Sequence, residues 1–338
     1  MKINIGFTGI SGMLGKNFLD YYLKNIYLQE KFNIVGFTRK EDKSFKSRYQ
    51  REDNSIIIKT INYDDLINIK DSLNSIDILI HAAGVTKGFS YEQFLNGNYI
   101  VTKNLVEVIT KEKLPIKKFI FISSQSVLGP SYDKFLNEDS DYNPISSYGK
   151  SKMQVEELLK ESTLNWIIVR YPAIFGKYDM DSLMLFKIAS KGIIIDTSWN
   201  QYILSYIFAQ DAVRLLYDLI EKQQIDKKIL HFCYDNPIKI RDFLRAIIKI
   251  KYKKGKRLIL KIPIFKFIFR IATFIMTFVS YFNKKANIVN VEKLNEFLQT
   301  SWLLSNEKTK RLMDIDSIKQ EARLDDIYNW YKEEGLVK

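Results

Sequence analysis

The chain of 338 residues has a single cysteine, Cys233. No internal disulfide can form, which suits a reducing compartment such as the cytoplasm. There are only two histidines, His81 and His231, so a zinc or iron site of the usual His/Cys kind is not expected. The N-terminus lacks the long apolar core and cleavage site of a signal peptide and enters a strand pattern at once. A long apolar run is also missing. The most apolar stretch, Ile262 to Phe282, is broken by Pro263, Lys266 and Arg270, which argues against an uninterrupted membrane span. We read it as a helix that covers the substrate and packs on the core. The alternative is an interfacial helix giving peripheral membrane contact through residues 262–282, in line with its Lys, Arg, Phe and Tyr content. Internal repeats, low-complexity segments and an evident linker are absent from the sequence.

Acidic residues are outnumbered, and the formal net charge is +13. Nucleic acid, a membrane surface or an anionic small molecule could each account for such an excess. Part of it is concentrated between Lys249 and Lys261, in KIKYKKGKRLILK. Zinc-finger spacing and RNA-recognition signatures are absent, so nucleic acid is not expected as a partner. The length allows one large domain or two lobes.

What is present begins at the first residue: MKINIGFTGISGMLGKNFLDYYLK. Ile3, Ile5 and Phe7 read as a buried strand, and Phe18, Leu19, Tyr22 and Leu23 repeat at helical spacing. Between them lie Gly9, Gly12 and Gly15, three residues apart. A helix N-terminus collects free N–H groups and partial positive charge, and glycine lets the backbone approach an anion closely. A dinucleotide pyrophosphate suits such a turn, with Gly9, Ser11, Gly12, Met13, Leu14 and Gly15 around it.

Strand-like runs then alternate with helical ones. FNIVGFTRK and IIIKTI precede the helical DLINIKDSL; DILIHAAG precedes a long helical pattern through YEQFLNGNYIVTKNLVEVIT; KKFIFISSQSVLG precedes YGKSKMQVEELLKEST; and NWIIVRYP follows. This order predicts an α/β fold, a Rossmann-type doubly wound parallel sheet covered on both faces. Beyond Arg170 the rhythm changes. Residues 1–170 are assigned to the dinucleotide-binding domain. Residues 171–338 form a smaller, mostly helical substrate lobe partly interleaved with it, and IYNWYKEEGL is its closing amphipathic helix.

Two further stretches carry chemistry. In SSYGKSK, Tyr148 and Lys152 lie four apart and share a helix face. A free tyrosine has a pKa of about 10. An ammonium nearby favours the phenolate, so Tyr148 becomes a candidate general acid or base. In FISSQSVLG, at the carboxyl end of a predicted strand, Ser123, Ser124 and Ser126 compete to hold the reacting oxygen.

Together these pieces resemble the extended short-chain dehydrogenase/reductases, also called NAD-dependent epimerase/dehydratases. T-G-x-x-G-x-x-G, HAAG, the Asn in NGNYIVTKNL, SSQSVLG and YGKSK occur in that family's order, and RYPAIFG and SWLLSNEKTKRLM extend the likeness over nearly the whole chain. The resemblance implies that Ser124 is the catalytic hydroxyl, Tyr148 the proton donor or acceptor, and Lys152 its partner. It places Ala82, Ala83 and Gly84 near the cofactor ribose, Asn98 at the family's helix asparagine, and Pro172, Ile174 and Phe175 beside the nicotinamide. His81 falls where the strand ends and is read as structural. The adenine-contacting Asp of the family becomes Asn62, followed by Tyr63. Helices 91–111 and 149–161 would form a homodimer interface.

Cofactor choice turns on the end of the second strand, GFTRK. Arg39 there suits the 2′-phosphate of NADP(H), with NAD(H) as the alternative. The Asp-Glu pair of 4,6-dehydratases is replaced by Gln125 and Ser126, which argues against dehydration. The Asn and Arg expected of UDP-sugar 4-epimerases are replaced near Pro172, Ala173 and Ser205. The pattern looks closer to the branch containing dihydroflavonol-reductase-like, 3β-hydroxysteroid-dehydrogenase-like and 4-keto-sugar reductase members. The implied reaction is nicotinamide-dependent hydride transfer at a carbonyl or secondary alcohol. The expected substrate is a nucleotide- or lipid-linked sugar of surface polysaccharide biosynthesis, held in part by Val85, Thr86, Lys87, Gln125 and Ser126. A lipophilic ketone or hydroxysteroid-like molecule is the alternative substrate. An NADPH-binding regulatory scaffold is the non-enzymatic alternative.

Overall fold

A computed structural model describes residues 2–88, 90–132, 134–196, 202–222, 224–252, 260–263, 296, 299, 301–315 and 320–337. In the first half, β1 (Ile3–Thr8) leads through the glycine turn to α1 (Met13–Leu23) and α2 (Ile26–Lys31). Next come β2 (Phe32–Thr38), α3 (Lys43–Tyr49), β3 (Ile56–Thr60), α4 (Leu66–Leu73) and β4 (Ile78–His81). The helical pattern after HAAG is divided into α5 (Tyr91–Phe94), a π-helical turn (Leu95–Ile100) and α6 (Val101–Lys111). β5 (Lys118–Ser124), α7 (Ser147–Glu161) and β6 (Trp166–Tyr171) follow.

The second half contains β7 (Ala173–Phe175), α8 (Leu183–Ser190), β8 (Ile193–Asp196), β9 (Ile203–Leu204), β10 (Tyr206–Phe208) and α9 (Ala209–Glu221). Then come β11 (Lys228–His231), β12 (Ile238–Lys239), α10 (Ile240–Tyr252), β13 (Leu260–Pro263), β14 (Ser301–Trp302), α11 (Glu307–Leu312) and α12 (Gln320–Glu333). Residues 264–282 lie outside the described residues, and with them nearly all of the apolar stretch read as a covering or interfacial helix. Among the described residues no helix is long and apolar enough to cross a membrane.

The main sheet has seven strands in the order β11-β6-β5-β4-β1-β2-β3, every pair parallel. This is the doubly wound arrangement expected from the alternation of elements. Strands buried on both faces need no polar alternation, and β6 is buried at every position. The chain returns from its second half to add β11 beside β6, with Leu230 opposite Val169.

One face of the sheet is covered by α1 and α9, where Phe18 stacks on Tyr217 at 4.2 Å. Leu105, Val108 and Ile109 of α6 and Val155 and Leu159 of α7 join a second apolar cluster with Phe119, Phe121 and Ile168. The order in which successive strands are added reverses between the parallel neighbours β1 and β4, which leaves a crevice beyond their carboxyl ends. In open parallel sheets this is where ligands bind. Around it are the turn after β1, the HAAG segment and the end of β5.

Candidate active site

The three glycines of the turn do different jobs. Gly9 has φ +74°, and a Cβ there would stand 2.9 Å from the backbone of Ala83. Only glycine lets the β1 turn lie so close to the end of β4. Gly15 sits inside α1, where a Cβ would come within 2.2 Å of the Ile10 carbonyl oxygen. Gly12 begins the helix in extended conformation, and a Cβ there would meet only the Gly9 oxygen, at 3.2 Å. No side chain caps α1 and no acid stands in its first turn. Its N-terminal amides and helix dipole therefore present positive potential towards the crevice. This turn fits a dinucleotide pyrophosphate: the helix end is uncapped, Ser11 and Gly12 are exposed, and the glycine at the mouth carries no side chain.

A chain of hydrogen bonds links this turn to the helix bearing Tyr148. Ala83 N–H donates to Thr8 Oγ1 at 3.2 Å, and Thr8 Oγ1 lies 2.7 Å from His81 Nδ1. His81 Nε2 lies 2.9 Å from Thr102 Oγ1, which itself donates to the Asn98 carbonyl at 2.7 Å. Thr102 has spent its proton, so His81 donates from Nε2 and accepts at Nδ1. Burial pushes His81 down to about 3, and the Lys152 charge adds to the effect. The imidazole is neutral and structural.

Asn98 lies within the π-helical turn. Its Oδ1 accepts from Val85 N–H at 2.7 Å, and its Nδ2 donates to the Val85 carbonyl at 3.1 Å and to Ser151 Oγ at 2.8 Å. Ser151 in turn donates to the Tyr148 carbonyl at 2.8 Å. Gly84 must be glycine, since a Cβ there would stand 2.6 Å from Asn98 Oδ1. The sequence pattern marked Asn98 and included Thr8 and Ser151 within its motifs, but it gave no role to Thr8, Thr102 or Ser151 and did not show the π-helical turn that aims the asparagine.

Ser146 caps α7 by accepting from Gly149 N–H at 3.2 Å, which sets Tyr148 in the first turn of the helix. Tyr148 is hydrogen-bonded to Ser124 at the end of β5. Ser124 Oγ also donates to Ser126 Oγ at 3.3 Å and accepts from Ser126 N–H at 3.2 Å. Ser123 faces the other way and donates to Glu156 of α7, so it leaves the contest for the reacting oxygen.

Lys152 is buried, one helical turn beyond Tyr148. Its Nζ donates to the Ile122 carbonyl at 2.9 Å and lies 4.5 Å from the Phe121 ring centroid. Burial lowers its pKa to about 8, opposed by the charge of Glu156. The phenol of Tyr148 departs from expectation. Burial pushes it up to about 12, the Glu296 charge adds to the rise, and the hydrogen bond to Ser124 opposes it. In this arrangement the Lys152 ammonium is directed at the Ile122 carbonyl, and desolvation sets the protonation of Tyr148. At neutral pH Tyr148 is a phenol able to donate a proton.

Beneath this group, Glu156 and Arg170 form a buried pair, with Nη2 to Oε2 at 2.7 Å. Tyr142 donates to the same Oε2 at 2.8 Å, and Arg170 Nη1 donates to the Glu138 carbonyl at 3.2 Å. The pair joins α7 to β6 and keeps Tyr148 and Lys152 over the sheet edge.

The remaining sequence-marked residues are spread around the crevice. Arg39 is exposed just past β2, while Asp42 caps α3 by accepting from Phe45 N–H at 2.9 Å. Asn62 is exposed, and its Oδ1 already accepts from Asp64 N–H at 3.1 Å; Tyr63 is buried. Pro172 and Ile174 are half-buried. Phe175 turns into the core, 4.4 Å from Phe243. Lys87 pairs with Asp181, so its charge is already partly neutralised; Thr86 is exposed. Gln125 is buried next to Ser124. Among the described residues no group of His, Cys, Asp and Glu could hold a metal ion.

Residues 5–230 match the model of the NAD dependent epimerase/dehydratase family. The chain belongs to that family. The enzyme is 26% identical over 276 residues to an uncharacterized protein of Methanocaldococcus jannaschii, covering 75% of this chain and 82% of the relative. It is 28% identical over 179 residues to a putative UDP-glucose 4-epimerase of the same organism, covering 50% and 55%. Its fold is shared with UDP-glucuronic acid 4-epimerase from Bacillus cereus, solved with NAD. There the TM-score is 0.71 at 19% identity, over 98% of this chain and 99% of the other.

Proposed function

We propose that the enzyme catalyses nicotinamide-dependent hydride transfer at a secondary alcohol or carbonyl of a sugar linked to a nucleotide or lipid phosphate. The observation that carries this reading is the placement of Ser124, Tyr148 and Lys152 at the crevice that also receives the uncapped N-terminus of α1. The bound nicotinamide supplies or accepts the hydride. The amides at the start of α1 hold the pyrophosphate, and the backbone of Ala82 to Gly84 borders the ribose. Ser124 holds the reacting oxygen, and Tyr148 gives it a proton or removes one. Buried Lys152 keeps positive charge beside the site. Gln125 and Ser126 have no carboxylate with which to eliminate water, so the reading is reduction or epimerisation without dehydration. The likeness to a putative UDP-glucose 4-epimerase supports a sugar nucleotide as substrate.

The cofactor we infer is NADP(H). Arg39 is exposed at the end of β2, and Asp42 is engaged as a helix cap. NAD, present in the Bacillus cereus structure, is the alternative. Native mass spectrometry of the freshly purified protein tests both points. A retained dinucleotide identifies the cofactor and favours an epimerase that recycles it in place. Uptake of added NADPH by an empty protein favours a reductase. Binding of neither NAD(H) nor NADP(H) overturns the reading. Arg39→Asp should shift preference from NADP(H) towards NAD(H) by roughly tenfold or more, the scale of one charge-assisted hydrogen bond.

A further inference from the structure

A cavity of about 450 Å³ lies at the outer edge of the main sheet, against β6 and β11. Trp166 and Lys228, the first residues of these strands, line it, together with Lys160 near the end of α7 and Tyr142 of the loop before α7. The candidate active site lies beyond the opposite, carboxyl ends of the strands. Lys160 is about 12 Å further along α7 than Lys152, at a rise of about 1.5 Å per residue. Ser124, Tyr148 and Lys152 do not line the cavity, so the two sites are separate.

The charges around this cavity are unevenly paired. Arg170 is held by Glu156 at 2.7 Å, and Lys308 Nζ by Asp139 at 2.9 Å. Glu138 is buried, and its Oε1 accepts from Thr309 Oγ1 at 3.2 Å. Lys160, Lys227 and Lys228 are exposed and form no ion pair among the described residues. Lys160 Nζ rests 4.6 Å from the Tyr142 ring centroid. Three ammonium groups, from α7 and from the start of β11, thus border one cavity, and among the lining residues only Asp141 is an exposed acid without a described ion pair. Clustered like charges repel one another, and a concave site lined by them concentrates ions of the opposite sign.

Size and wall chemistry narrow the class of anion. Cavities that hold small organic ligands run from about 300 to 1,000 Å³, so a bare phosphate would leave most of this one empty. The Tyr142 ring already carries Lys160 and, at 5.4 Å, the Arg170 guanidinium, and Trp166 is 8% exposed. The wall therefore favours hydroxyl groups over a stacked base. The Asp141 carboxylate can accept from such hydroxyls.

We propose that this cavity is an accessory binding site for a small phosphorylated sugar or polyol, with the phosphate on Lys160, Lys227 and Lys228 and hydroxyls on Asp141. The inference does not rest on the hydride-transfer reading, because Ser124, Tyr148 and Lys152 take no part in it.

The experiment labels the lysines of the full-length protein with acetic anhydride and reads each by mass spectrometry, with and without added dinucleotide. The probes are glucose 1-phosphate, glucose, inorganic phosphate and UDP. Glucose 1-phosphate should protect Lys160, Lys227 and Lys228, leave exposed Lys59 and the crevice residue Lys87 unchanged, and do so with dinucleotide present. Half-protection of the three lysines by glucose, inorganic phosphate or UDP should need roughly tenfold more probe, the scale of one charge-assisted contact. The variant carrying Lys160→Glu, Lys227→Glu and Lys228→Glu should bind glucose 1-phosphate at least roughly tenfold more weakly by calorimetry. All three positions are exposed, so it should melt close to wild type. Absence of protection, protection confined to Lys87, or unchanged affinity in the variant overturns the site. Equal protection by inorganic phosphate or UDP overturns the ligand class. Should the variant fail to fold, labelling of the wild type decides alone. Turnover is not needed, so failure here leaves the hydride-transfer reading standing, and failure to bind dinucleotide leaves this one standing.

Discussion

Lys152 Nζ donates to the carbonyl of Ile122 at 2.9 Å, two residues before Ser124 in the same strand. The ammonium is therefore anchored to the strand whose end presents Ser124, the hydroxyl proposed to hold the reacting oxygen. A lysine held by one backbone carbonyl in a buried site keeps its charge only while the pH stays below its lowered pKa.

That pKa is about 8, and the displacement is downward, caused by burial. Activity that needs the ammonium should fall as pH rises through about 8. Lys152→Arg, which stays charged, should move this falling limb upward by more than a unit even if its maximal rate is lower. The stability effect has the opposite slope. Between about 8 and the ordinary lysine value near 10.4, the unfolded chain binds more protons at this site than the folded one, so this residue's contribution rises with pH. A pH profile of kcat/KM for both proteins checks the first part, and denaturant titrations across the window check the second.

Tyr148 is a phenol at neutral pH, pushed up to about 12 by burial. Tyr148→Phe removes the proton and leaves the ring, so turnover should drop by about 10³-fold. Binding of the dinucleotide, followed by fluorescence, should be little changed. Unchanged turnover would remove Tyr148 from the mechanism.

The glycines of the turn should separate folding from binding. Gly15→Ala drives a Cβ against the Ile10 carbonyl and should cost about 2 kcal/mol or more of stability, seen as a lower Tm. Gly12→Ala meets a single atom, the Gly9 oxygen at 3.2 Å, a close contact that a shift of a few tenths of an ångström relieves, and it places a methyl group at the mouth of the helix end. It should melt close to wild type and bind dinucleotide more weakly. The reverse pattern would place the pyrophosphate elsewhere.

Arg170 and Glu156 are 1% and 0% exposed at their side chains. Glu156→Gln leaves a buried guanidinium without its counter-charge and should cost about 3 kcal/mol. Chemical denaturation should report a lower midpoint. A midpoint within error of wild type would mean that Tyr142 and the Glu138 carbonyl suffice to hold the arginine.

Much of this is legible in the sequence. The strand, glycine turn and helix at the N-terminus are local in sequence, and their periodicities announce them. Tyr148 and Lys152 show in the same way, because four residues make about one helical turn. The division of residues 91–111 by a π-helical turn was not legible, since it follows from Asn98 reaching back to both backbone polar groups of Val85. The direction of the Tyr148 shift was missed for a similar reason. Spacing alone suggested that Lys152 would lower it, whereas burial and Glu296, distant in sequence, raise it.

The sequence by itself determined the alternation of elements, the glycine-lined helix start and the placing of Tyr148 and Lys152 one turn apart on a helix, all consequences of short-range periodicity and steric need. Only the tertiary structure decided that β11 returns to complete the sheet, that Ser123 and Ser124 face different partners, and that Glu296 acts on Tyr148. These are long-range pairings, and pKa values follow from the charges and solvent that packing brings to a group or keeps from it.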